Sequence, residues 1–236
     1  MFGWGVSDEE TYLALLASYL TENGCKQGVE IVNSAVPGYN AVMAVETLNA
    51  KLLQFHPDIV IYHYVLNDLN LPSFIKRSNP VFTQKSSLLA RFIKQRLRNQ
   101  FASDYRLGPP SEEVVDRDFI GEEDEIPDEY RLLAGLPAFE GAMQKFADLA
   151  KTNNFIPIVL THYRVSKAIT KRLDTLGLKF LNSFPQAQDY LKNSGEKHYS
   201  GSALTVSETD RHPSAEYHRI IAEFLASKIA KLPVCG

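Results

Sequence analysis

The run Ile59-Val60-Ile61-Tyr62-His63-Tyr64-Val65-Leu66 is apolar at almost every position. A stretch that short can hide both of its faces only inside a sheet covered on each side, so it reads as an inner parallel strand that ends at Asn67-Asp68. Around it two patterns alternate. Val29–Ser34, Phe155–Thr161 and Leu178–Asn182 are short and rich in β-branched or aromatic residues, which predicts strands. Helical spacing runs through Tyr12, Leu15, Leu16, Tyr19 and Leu20, then Val42, Val45, Leu48, Leu52 and Leu53, with His56-Pro57-Asp58 as the stop. It returns through Phe139, Met143, Phe146, Leu149 and Ala150, then Ile169, Leu173 and Leu176, and last from Tyr217 to Leu232. Such alternation predicts an α/β fold with a parallel sheet, in which ligands meet the carboxyl ends of the strands. Pro157 lacks a donor, which puts its strand near an edge or gives it an irregular start. The stretch Gln186–Ser207 is polar and reads as irregular.

With 236 residues, 44% of them hydrophobic, and a net charge of −3, the chain suits one globular domain spanning 1–236, and nothing in the charge points to nucleic acid as a partner. No apolar run reaches transmembrane length. The first twenty residues hold Asp8, Glu9 and Glu10 and no basic region, so they do not read as a signal peptide, and localisation is unknown from this chain. Cys25 and Cys235 suit one disulfide or two free thiols equally, which leaves the redox compartment open. Between about 71 and 137 the pattern changes to a basic half, Lys76 to Arg106, followed by an acidic half, Glu112 to Glu129. Leu88, Leu89, Phe92, Ile93 and Leu97 predict a helix in the basic half, and Gly108-Pro109-Pro110 breaks it. This segment reads as a charged insertion over the active-site end of the sheet, solvated or used as a lid or contact surface.

Chemistry concentrates near the end of the chain. In Asp210-Arg211-His212-Pro213 a carboxylate and an imidazole lie two residues apart before a helix. An Asp on one ring nitrogen fixes the tautomer and stabilises the imidazolium, so that the other nitrogen can take a proton from a nucleophile. Pro213 suits the first position of that helix and would hold His212 at a loop-to-helix junction. The plainer alternative is that Asp210 caps the helix and His212 is an exposed loop residue. Gly38, in Val36-Pro37-Gly38-Tyr39-Asn40, and Asn67 both fall at predicted strand ends, where each could equally serve only a turn. Ser7 with Glu10 fits a capping box ahead of the first helix. His63, His162 and His198 have no metal-ligand spacing and read as core or surface residues.

In order and context, these blocks resemble the SGNH hydrolases, the GDSL-like lipase and esterase family. The resemblance covers most of the chain outside the insertion. It implies a three-layer, flavodoxin-like parallel sheet. Gly38 would supply an oxyanion-hole N–H and Asn67 a side-chain donor, while Asp210 and His212 would be triad members. The implied activity is a serine ester hydrolase or acyl transferase with no metal or organic cofactor, acting on a small-molecule, glycan or lipid ester. One departure stands out. The family's Gly-Asp-Ser block would come just before Phe2-Gly3-Trp4-Gly5, so this chain contains no nucleophile, Ser7 serving as a cap. The family's first strand, between Val29–Ser34 and Ile59–Leu66, is then missing as well, and residues upstream of Met1 are expected to supply both. As it stands the chain should turn over little. The alternative is a non-catalytic binding or scaffold protein on the same fold; the substrate and oligomeric state are not readable.

Overall fold

Three parallel strands carry the structure, a computed structural model that describes residues 3–22, 25, 28–72, 128–165, 167–196 and 198–235. They are β1 (Ile59–Tyr64), β2 (Ile156–Thr161) and β3 (Lys179–Asn182), in the order β1-β2-β3. β1 pairs with β2 from Ile59↔Ile156 to Tyr64↔Thr161, and β2 with β3 from Ile158↔Lys179 to Thr161↔Asn182. The helices are α1 (Tyr12–Glu22), α2 (Ala41–Thr47), α3 (Gly135–Asn153), α4 (Lys167–Thr175), α5 (Phe184–Ser194) and α6 (Ala215–Ile229). The chain is therefore α/β.

Alternation along each strand sends side chains to two separate cores. Ile158, Leu160 and Leu181 join Tyr12 and Leu16 of α1, Leu191 of α5 and Ile221 and Leu225 of α6. Tyr62, Tyr64 and Val159 join Val45 of α2, Phe139, Met143 and Phe146 of α3, and Leu173 of α4. Helices thus cover both faces of the sheet, which is why the strands read as near-continuous apolar runs. Each fully buried side chain of this size contributes about 1.5–3 kcal/mol. A disulfide, Cys25–Cys235, ties the end of α1 to the end of the chain.

Four expectations are corrected. Val29–Ser34 forms no strand: residues 28–36 carry no ladder, although Val29 and Ile31 rest on the same core as Ile59 and Ile61. β-Branched residues favour a strand only where a neighbour supplies the ladder. Pro157 is not at an edge, since β2 is the central strand. Ile156 N–H donates toward β1, to the Asp58 carbonyl at 2.8 Å, so the position without a donor, Pro157, faces the β3 side. There the ladder begins only at Ile158, and no hydrogen bond is forfeited. The polar stretch after Gln186 is helical as far as Ser194; α5 buries only Ala187 and Leu191, a stripe too thin to stand out in sequence. Finally, the helix through Leu53 is α-helical only to Thr47, continues as a π turn (Leu48–Leu52) and a 3-10 turn (Leu53–Phe55), and ends at His56 in the left-handed region.

Most of the charged insertion, including the helix expected around Leu88–Leu97, lies outside the described residues. Its end is described, as a 3-10 turn, Asp128–Leu133, that runs into α3. Among the described residues no helix is long and apolar enough to cross a membrane.

Candidate functional site

Residues 204–214 fold back on themselves before α6. Thr205 and Pro213 form an antiparallel bridge, Val206 N–H donates to the His212 carbonyl at 3.0 Å, and Ser207 N–H donates to the Asp210 carbonyl at 3.1 Å. Ser214 N–H closes the base on the Leu204 carbonyl at 3.0 Å. The helix cap is Ser214, whose hydroxyl accepts from Tyr217 N–H at 3.3 Å. Pro213 therefore precedes the cap instead of opening the helix, and Asp210 caps nothing. Its carboxylate turns back on the loop: Oδ1 accepts from His212 N–H at 3.0 Å and lies 2.6 Å from His212 Nδ1. The backbone N–H of His212, and after it the ring, hold the Asp210 carboxyl below its usual range. An ionised carboxylate can only accept, so Nδ1 carries the proton and the lone pair is left on Nε2. The His212 side chain is 59% exposed.

Gly38 and Asn67 lie on two other loops at the same end of the sheet. Gly38 takes φ +82°, a value that favours glycine, in a turn closed by Tyr39 N–H on the Val36 carbonyl at 3.3 Å. Asn67 falls in the 3-10 turn Leu66–Leu69 that follows β1. Asp68 fixes that turn by accepting from Val65 N–H at 2.8 Å, and burial raises its carboxyl to about 7. The two loops are joined by Asn40, which is 1% exposed. Its amide donates to the Asn70 carbonyl at 2.9 Å and the Leu133 carbonyl at 2.7 Å, while its oxygen accepts from Met43 N–H at 3.2 Å and caps α2. Asn40 stands two residues after Gly38, and Asn70 three after Asn67. The cap is a sequence signal; the two long-range bonds have none.

His162, directly after β2, is close enough to His212 for charge on one to act on the other. Beneath them is a buried histidine cluster that sequence spacing does not announce. His63 Nε2 lies 2.8 Å from His162 Nδ1, and Tyr12 N–H donates to His218 Nδ1 at 2.9 Å. The Tyr12 ring lies 5.4 Å from His63 and 5.9 Å from His218, between centroids. Burial drives His63 and His162 well below the ordinary imidazole range and His218 to about 4. These rings are buried core residues whose charged form is suppressed, where sequence left a core or a surface role open for His63 and His162. Among the described residues no group of three His, Cys, Asp or Glu is arranged to hold a metal ion.

Ser7 is occupied elsewhere, its N–H and hydroxyl both donating to Glu10 Oε2, at 3.1 and 3.0 Å. Among the described residues no hydroxyl is hydrogen-bonded to His212 Nε2. In sum, the structure forms the Asp210–His212 pair and, separately, joins the Gly38 loop to the turn after β1 that carries Asn67. Compared with known proteins, the chain matches no family model, no curated protein and no solved structure.

Proposed function

We propose that this chain carries the acid–base half of an SGNH-type serine ester hydrolase or acyl transferase, on a flavodoxin-like three-layer fold. The observation that carries the reading is the 2.6 Å contact between Asp210 and His212 Nδ1, held by a bridged loop directly before α6. In this reading His212 Nε2 removes the proton of a serine as its oxygen attacks the ester carbonyl. The same nitrogen then protonates the departing alcohol, while Asp210 keeps the ring oriented and stabilises the imidazolium. The backbone N–H of Gly38 and the amide of Asn67 receive the oxyanion, and Asn40, through Asn70, sets the spacing of their loops. Such chemistry needs no metal or organic cofactor. The nucleophile of this reading is none of the serines of this chain.

The test is hydrolysis of p-nitrophenyl acetate and butyrate by residues 1–236 and by the chain extended with the genomic residues before Met1, each with its folding checked by circular dichroism. Ester turnover by the extended form alone is the expected result. If both forms fold cooperatively and neither turns over ester, the hydrolase reading gives way to a non-catalytic binding protein on the same fold.

A further inference from the structure

The feature left unused is Trp4, the sole tryptophan of the chain, 57% exposed, with its ring centroid 6.1 Å from that of His212 and the two planes tilted by 38°. That separation lies within the range in which ring pairs attract one another. The contact is not a chance meeting of two loose side chains. Trp4 sits in a turn closed by Val6 N–H on the Gly3 carbonyl at 3.3 Å, flanked by two glycines with positive φ, +96° at Gly3 and +84° at Gly5. A Cβ on Gly3 would come within 2.7 Å of Thr11 Cγ2, at the start of α1. A Cβ on Gly5 would come within 2.7 Å of Val206 Cγ2, and Val206 is the residue whose N–H holds the His212 carbonyl. The turn is seated on the first helix at one glycine and on the catalytic loop at the other, and the indole between them is delivered to the imidazole.

Asp210 fixes one nitrogen of His212, yet a single side-chain hydrogen bond on a ring this exposed leaves it free to swing. We propose that Trp4 is a positioning residue for His212. Its indole limits the imidazole to the orientation that keeps Nδ1 on Asp210 and Nε2 free to take a proton. The proposal rests on the acid–base reading of Asp210 and His212 for its effect on turnover, but its structural readout does not.

That readout is the downfield proton resonance of His212 Nδ1–H in its bond to Asp210, recorded on residues 1–236 and assigned by its loss in His212→Gln. Trp4→Ala is expected to broaden it or move it upfield, whereas Trp4→Phe, which keeps a ring, should retain it. Gly5→Ala should reproduce the Trp4→Ala result with the indole intact, because the added methyl lifts the turn off Val206. His212→Gln should also change the emission of the single tryptophan. In a form that turns over ester, Trp4→Ala should lower kcat about two- to fivefold with less change in KM. An unaltered Nδ1 proton in a folded Trp4→Ala variant would overturn the proposal and leave the hydrolase reading standing. Conversely, the expected spectra together with full turnover by His212→Ala would overturn the hydrolase reading, and with it the kinetic role of Trp4.

Discussion

His212 and His218 lie six positions apart and live in opposite environments. His212 is largely exposed, hydrogen-bonded to Asp210 and set on a bridged loop; His218 is fully buried on the next helix, with Nδ1 accepting from the first N–H of α1. Solvent reaches most of the first. Burial of the second, and of His63 and His162 beside it, suppresses the charged form and turns these imidazoles into structural parts. Residue type alone therefore says little about role here; solvent and partner decide it.

The comparison breaks first if function does not follow exposure. In a form that turns over ester, His212→Ala should lower kcat/KM about a thousandfold or more. Its melting temperature should barely move, because exposed substitutions usually change stability by less than about 0.5 kcal/mol. His218→Ala should do the reverse: it leaves a cavity and an unpaired Tyr12 N–H, costing about 2–4 kcal/mol in denaturant titrations, with activity lost only as folded protein is lost. Opening the Cys25–Cys235 disulfide with a reductant should cost about 2–5 kcal/mol, read as a lower thermal midpoint. Asn40→Ala removes three hydrogen bonds from a buried site and should cost about 1–3 kcal/mol. Asn40→Asp should not rescue it, since a carboxylate cannot donate to the Asn70 and Leu133 carbonyls.

Acid sharpens the same contrast. The buried histidines have folded pKa values below the unfolded value of about 6.5, so the unfolded chain binds the extra protons. Their contribution to stability is intact above about pH 6.5 and is lost as the pH falls toward the folded value, about 4 for His218. Asp68 acts in the opposite direction. Its folded value of about 7 lies above the unfolded value near 4, so its contribution grows as the pH falls through that window. Three depressed groups outweigh one raised group, and stability should drop between pH 6.5 and 4. Asp68→Asn, which keeps an acceptor for Val65 N–H, should steepen the drop, and His218→Gln should flatten it; urea midpoints against pH read both.

What was legible in sequence follows from local rules. The apolar run at Ile59–Leu66, the periodic helices and the Ser7–Glu10 pairing are short-range patterns, and they appear as β1, the helices on both faces and the hydrogen bonds of Ser7. Asp210 and His212 are close in sequence, so their contact was readable too. Whatever depended on a distant partner was not. Val29–Ser34 has strand composition but pairs with no strand among the described residues, and Pro157 sits in a central strand because the β3 ladder starts one residue later. Asn40 reaches Leu133 across 93 residues, the Cys25–Cys235 pair spans 210, and the His63–His162 contact spans 99. No local spacing encodes any of these.

The central claim is that the Asp210–His212 pair performs proton transfer in ester cleavage. Its most direct test is p-nitrophenyl butyrate hydrolysis by the upstream-extended protein and by its His212→Ala and Asp210→Asn variants, each shown by its melting curve to be folded. The account predicts turnover in the parent protein, near-complete loss in His212→Ala and a large loss in Asp210→Asn. Undiminished hydrolysis by a folded His212→Ala variant would contradict it.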